Sequence, residues 1–202
     1  MKKRNKIIVF ILLGLFIINC ILVLTKVYDK LDNTIMSFMI DIRNDNLTKI
    51  MTSITNVGSA YALIVICILL LCFMKDRKMA VKIIINLIFV FITSQVLKII
   101  FHRPRPDELY LVKVYDYSYP SGHAMVSLVF YGYLLYLINK SKLNKIFKVL
   151  FMIIIPILLL AIFFSRLYLG VHYLSDIISG ILFGFICLIL YVEYSDKKKA
   201  KE

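Results

Sequence analysis

The sequence predicts an all-α membrane protein, a polytopic bundle of six transmembrane helices with an amphipathic segment between the first two. Three observations carry that prediction. The 202 residues are 61% hydrophobic and only 18% charged, where a soluble domain is roughly half apolar and a quarter charged. The apolar residues fall into six runs near the ~20 residues needed to cross a bilayer. The basic residues collect at alternate loops, as they do on the cytoplasmic side of multi-pass proteins. Few glycines (7), prolines (4) and cysteines (4) exclude collagen-like, disordered and disulfide-framework chains. Six crossings leave no room for a soluble domain, so 1–202 reads as a single membrane-embedded domain.

The runs lie at about 7–25, 57–74, 80–101, 123–138, 146–165 and 177–194. The first follows a basic KKRNK and resembles a signal peptide. It is longer than the usual apolar core of one and lacks a small-x-small cleavage site, so we read it as an uncleaved anchor. Residues 34–56 place Ile35, Met39 and Ile42, then Leu47, Ile50, Met51 and Ile54, at helical spacing broken near Asn44 to Asn46. That pattern predicts one or two amphipathic helices in the outer interface. Such a segment can shield its own apolar face as a connector, the preferred reading, or form a platform guiding lipid to a site. Cys20, Cys67, Cys72 and Cys187 fall inside apolar runs, where packing is their expected role.

Orientation follows from charge. The N-terminus, the 75–82 turn (which includes Lys75), the 139–148 loop and the C-terminal tail (through Lys201 and Glu202) hold 16 of the 25 basic residues and four acids, a net of +12. The opposite side nets +1. Both termini are therefore expected in the cytoplasm of a cell (plasma) membrane protein. The same split argues against nucleic acid as a partner, because a nucleic-acid binder gathers its charge on one face.

Ionisable residues at membrane depth are costly, and default to function. On the outer side they concentrate in three stretches: Lys98 and His102-Arg103-Pro104-Arg105-Pro106, then Tyr119-Pro120-Ser121-Gly122-His123, then Ser165-Arg166 through His172 to Asp176. Lys98, Arg105 and Arg166 supply the fixed charge and forked donors that hold a phosphoryl group. Gly122 permits close approach of backbone to an anion. Ser121-Gly122-His123 at the start of a span is expected to aim free N–H groups outward. His172 and Asp176 are four apart, so on a helix the carboxylate would hold one imidazole nitrogen and free the other as nucleophile. His123 is the candidate general acid. Singly, each has a duller reading as a snorkelling charge, an interfacial histidine or a structural ion pair. Their assembly from three loops points to phosphoryl transfer. Three cations disfavour a divalent ion, so no metal and no cofactor are expected.

Lys98 with six residues before Arg105-Pro106, then Pro120-Ser121-Gly122-His123, then Ser165-Arg166 with His172 and Asp176, resemble the three signature motifs of the type 2 phosphatidic acid phosphatase (lipid phosphate phosphatase) superfamily. The match is complete in order and spacing, and as a joint match it is specific. The resemblance implies a six-span, metal-independent hydrolase of phosphomonoester or diphosphate bonds. By that resemblance His172 is the nucleophile, Asp176 its orienting partner and His123 the general acid, while Lys98, Arg105, Ser121, Gly122 and Arg166 bind phosphate. Arg103 lies outside the signature, as either a contributor or a headgroup-level charge.

A membrane lipid phosphate is the expected partner, namely undecaprenyl pyrophosphate, phosphatidylglycerophosphate or phosphatidic acid. The residues leave open a phosphotransferase using the same phosphohistidine, a non-enzymatic lipid-phosphate binder or transporter, and, on family resemblance, a vanadate-dependent haloperoxidase. Oligomeric state is not legible.

Overall fold

The computed structural model of the chain describes residues 1–73, 76–106 and 110–199. Its helices are α1 (Lys3–Leu24), α2 (Asp29–Asp41), α3 (Asp45–Val57), α4 (Ala60–Phe73), α5 (Arg77–Phe101), α6 (Gly122–Lys140), α7 (Lys145–Tyr168) and α8 (Leu174–Lys199). Among the described residues, α1, α5, α6, α7 and α8 are each long and apolar enough to cross a membrane. Helices α3 and α4, bent by 47° at their junction, meet the same criterion only when taken together, giving a sixth candidate span.

The apolar run at 57–74 is taken up by the end of α3 and by α4, with a break at 58–59. Helix α4 has 14 residues and reaches only about 21 Å at 1.5 Å per residue, short of the ~30 Å hydrocarbon core. The break has a local cause. The Gly58 N–H turns back to the Thr55 carbonyl at 3.0 Å, and the Ser59 hydroxyl accepts the Ala62 N–H at 3.2 Å to start α4. A Cβ at Gly58 would lie 2.8 Å from Ile162 Cγ2, so small size lets the bend pack on α7. Position 74 and Lys75, like Lys201 and Glu202 in the C-terminal cluster, lie outside the described residues. The other apolar runs lie within helices α1, α5, α6, α7 and α8 to within a residue, α6 being 122–140 and α8 beginning at 174.

The expected amphipathic segment is two helices, separated at 42–44. The Asn44 side chain caps α3 by accepting the Leu47 N–H at 2.9 Å, as an N-cap residue does. Helix α2 buries Asp32, Met36 and Met39, positions i, i+4 and i+7 of one face.

Helix α6 is the centre of the bundle, buried from Ala124 through Tyr131 and packed against α5, α7 and α8. Gly180 of α8 sets the closeness of that packing, since a Cβ there would stand 2.6 Å from the Ser121 carbonyl oxygen. Outward faces of α1, α5 and α7 present Phe10, Ile88 and Ile157 among many exposed apolar side chains, the surface that a hydrocarbon solvent requires. The start of α1 and the end of α8 lie at one end of the bundle, where the Asn5 amide bonds the Glu193 carboxylate. The polar stretches gather at the other end.

Candidate active site

Three chain segments meet at the end away from the termini. Helix α5 delivers Lys98 from its last turn, and His102 ends it in the left-handed region at φ 45°. Helix α7 delivers Arg166 from its last turn. Gly170, at φ 71°, then turns the chain so that His172 enters the site from the loop before α8, a conformation glycine adopts without penalty. Helix α6 contributes His123 at its second residue, and the 110–121 loop contributes Asp116 and Ser118.

These segments enclose a cavity of about 150 Å³ lined by Lys98, Arg105, Gly122, His123, Arg166 and His172, together with Asp116. A single water needs only ~10–15 Å³ on this measure, so a phosphoryl group fits with room to spare. Lys98, Arg166 and His172 are at most 4% exposed, which takes two cations and an imidazole out of water together. The Arg166 Nη1 donates to Thr55 Oγ1 at 2.7 Å, while its Nε–H has no partner among the described residues. An unsatisfied buried donor of this kind is costly unless a ligand takes it. Arg105 donates through Nε to the Asp116 carbonyl at 2.7 Å and through Nη1 to the Val171 carbonyl, and its guanidinium also meets the Asp116 carboxylate. The Lys98 ammonium bonds the Tyr117 carbonyl and stands 2.9 Å from Asp116 Oδ2.

His172 presents Nε2 to the clamp, 3.4 Å from Arg105 Nη1. Burial first, then the Arg105, Lys98 and Arg166 charges, hold its imidazole well below the usual titration range, so the ring is neutral. Nδ1 lies 3.6 Å from Asp176 Oδ2, longer than a hydrogen bond. The Ser118 hydroxyl fills the gap, 3.5 Å from Nδ1 and donating to Asp176 Oδ2. The pair therefore does not share a helix face, as the i, i+4 spacing suggests. His172 precedes α8, and Asp176 sits at the third helical position, accepting the Tyr173 N–H at 2.9 Å in the reciprocal half of a capping box.

Lys98, Arg105, Gly122, His123, Arg166 and His172 line the cavity and Asp176 stands beside His172, whereas Ser121 does not line it. The exception to the expected role is Ser121. Its hydroxyl caps α6 by accepting the Ala124 N–H, and its own N–H is given to the Asp176 carbonyl at 3.0 Å. It is not among the cavity's lining side chains. Its N–H is thus not free for an anion.

The comparisons with known proteins fit this geometry. The model of the PAP2 superfamily matches residues 79–200. The chain belongs to the PAP2 superfamily. Phosphatidylglycerophosphatase B of Bacillus subtilis is 30% identical over 91% of this chain and 93% of its own length. An undecaprenyl-diphosphatase of Sulfolobus acidocaldarius is 31% identical over 68% of this chain and 66% of that one. Among solved structures, the transmembrane PAP2-type phosphatidylglycerolphosphate phosphatase of Bacillus subtilis superimposes with a TM-score of 0.87 at 25% identity, over 94% of this chain and 96% of that one. Aquifex aeolicus LpxE shares the fold, with a TM-score of 0.66 at 24% identity over 81% of this chain and 96% of that one. The protein is a membrane phosphatase of the PAP2 superfamily.

Around the residues of the PAP2 motifs stands a ring that sequence reasoning missed. Arg103, left between two roles, donates to Asp176 Oδ1 at 2.6 Å, to Ser175 Oγ at 2.7 Å and to Asp32 Oδ2 at 2.8 Å. Asp32, 1% exposed on α2, also accepts the Ser175 N–H at 3.0 Å. The Asp176 and Asp32 carboxylates raise the Arg103 pKa against the lowering effect of burial. Helix α2 thus reaches Asp176 through Arg103, and α3 reaches Arg166 through Thr55. Helices α2 and α3 do more than link α1 to α4, since they hold partners of Arg103 and Arg166. One signal was available: Asp32 shares the buried stripe of Met36 and Met39, and a carboxylate on an apolar stripe is a polar group needing a partner.

Proposed function

We propose that the chain is one membrane-embedded domain that hydrolyses a phosphomonoester or diphosphate of a membrane lipid through a phosphohistidine at His172. The observation that carries the reading is a neutral imidazole nitrogen facing a cavity walled by Lys98, Arg105 and Arg166. With Asp176 and Ser118 on the Nδ1 side, the Nε2 lone pair is the one available for attack.

In the first step Nε2 attacks phosphorus as the bond to the lipid oxygen breaks, and His123, when protonated, gives its proton to that oxygen. Lys98, Arg105 and Arg166 hold the equatorial oxygens and the charge that spreads over them. Gly122 leaves space beside Lys98, since a Cβ there would stand 3.6 Å from Lys98 Cε inside the cavity. In the second step water attacks the phosphohistidine, His123 takes its proton, and inorganic phosphate leaves with His172 restored. No metal or cofactor is assigned a part, because the cations already present supply the positive charge.

The cavity supports a lipid as substrate. Ala60, Phe91 and Val126 belong both to its wall and to an apolar groove completed by Ile64, Leu87 and Ile88. Ile64 and Ile88 are each 52% exposed on the membrane-facing surface. A phosphate in the clamp can thus keep its hydrocarbon chain in the groove between α4 and α5. Phosphatidylglycerophosphate and undecaprenyl pyrophosphate, the substrates in the relatives' names, both have this form, and phosphatidic acid is the third candidate. The +12 balance at the end of the termini supports cytoplasmic termini and an extracytoplasmic site.

Phosphate release by the purified chain in detergent with EDTA, across those three lipids and beside His172→Ala, tests the reading. Release from at least one lipid that is absent in the variant is expected. Activity lost to EDTA and restored by a divalent ion would overturn metal independence. Phosphate found on a lipid acceptor would make the enzyme a phosphotransferase, and no turnover at all would make it a binder.

A further inference from the structure

The clamp is not empty of anions. Asp116 bridges two of its cations, with Oδ2 2.9 Å from Lys98 Nζ and Oδ1 against the Arg105 guanidinium, and it lines the same cavity. Two oxygens of one planar anion placed on an ammonium and a guanidinium are the contacts a phosphoryl group would make there. Burial pushes the Asp116 carboxyl up, but Lys98 and Arg105 outweigh it and hold it at about 2, so it stays charged at every working pH.

The cations do not depend on this carboxylate for their placement. Arg105 is fixed by the Asp116 and Val171 carbonyls, and Lys98 by the Tyr117 carbonyl. These main-chain contacts survive a change of the Asp116 side chain. That side chain is 42% exposed, and so free to swing out.

We propose that Asp116 is a tethered competitor for the phosphate clamp, which weakens the grip on free phosphate and so favours release of the product. The inference rests on the phosphatase reading of the site. A lipid phosphate carries extra binding energy in its tail and displaces the carboxylate. Inorganic phosphate, left without a tail once the phosphohistidine is hydrolysed, competes with the carboxylate at a disadvantage. A site whose competent state is only fractionally populated binds more weakly by that fraction, so Asp116 discriminates between tailed and free phosphate.

The test measures binding of inorganic phosphate and of orthovanadate to the full chain in detergent by calorimetry, with lipid turnover run beside it. Asp116→Asn is expected to tighten both about ten-fold. Asp116→Ala is expected to do the same and to become sensitive to millimolar acetate, which re-enters the vacated place and weakens phosphate binding. Asp116→Glu keeps the charge and is expected within about two-fold of the parent chain. A purely architectural Asp116 predicts the opposite sign, so unchanged or weaker phosphate binding in the Asn and Ala variants would overturn the proposal. Equal tightening in the Glu variant would overturn it as well. Binding is read without turnover, so failure of the lipids to react would count against the phosphatase reading and leave the sign of the Asp116 effect measured.

Discussion

The two ends of the bundle use the same ion-pair chemistry in different surroundings. At the end of the termini, Lys140 meets Asp196 with side chains 48% and 39% exposed, and Tyr136 joins them. At the site end, Arg103 meets Asp176 and Asp32 with exposures of 13%, 0% and 1%. The first pairing ties α6 to α8 in contact with water, where such bonds contribute little. The second is withdrawn from water, so that removing one partner strands a buried charge. Burial turns a fastening of helix ends into a device that fixes the position of one carboxylate beside one imidazole.

The sharpest way to break this comparison is Arg103→Met, which leaves Asp176 and Asp32 facing each other without a cation. A stability loss of about 3–5 kcal/mol is expected, read as thermal unfolding in detergent. Asp32→Asn keeps the shape and removes one charge, so about 1–3 kcal/mol of stability should go. If Asp32 positions the site, kcat should also fall about ten-fold with little change in KM. A unit kcat would reduce α2 to a structural support. Thr55→Val takes from Arg166 its one hydroxyl partner and should lower kcat/KM about ten-fold. An effect on KM alone would mean that Arg166 holds the ground and transition states equally.

The pH profile sharpens the site end further. In the proposed mechanism His172 acts when neutral, and burial with the neighbouring cations lowers its titration from the ordinary 6.5. The acid limb of the profile, set by His172, should have its midpoint below pH 6.5, while the need for a protonated His123 sets a separate fall on the alkaline side. A midpoint at or above 6.5 in the acid limb would contradict a buried neutral imidazole. At the other end Lys140→Ala should cost no more than about 0.5 kcal/mol and leave turnover unaltered.

Much of this was legible in the sequence, for identifiable reasons. Long apolar runs impose helices because a bilayer leaves backbone groups no other partner, and five runs became helices long and apolar enough to cross. The second did not, since hydropathy reads composition and is blind to the turn that Gly58 and Ser59 make against Ile162. That Lys98, Arg105, His123, Arg166 and His172 gather around one cavity, with Asp176 beside His172, was to be expected because phosphoryl chemistry restricts residue type. Their supports were not. Asp32 lies 71 positions from Arg103 and Thr55 lies 111 from Arg166, and only helix packing brings them together. The spacing of His172 and Asp176 was read as helical, whereas Gly170 makes it a turn leading into a cap.

The central claim is a covalent bond between phosphorus and His172. Brief mixing of the purified protein with a 32P-labelled lipid phosphate, followed by alkaline quenching, tests it most directly, because phosphohistidine withstands base and is destroyed by acid. Label is expected on the parent chain, located at His172 by mass spectrometry and absent from His172→Ala. Turnover without any trapped label on His172, or label that survives in His172→Ala, would contradict the account.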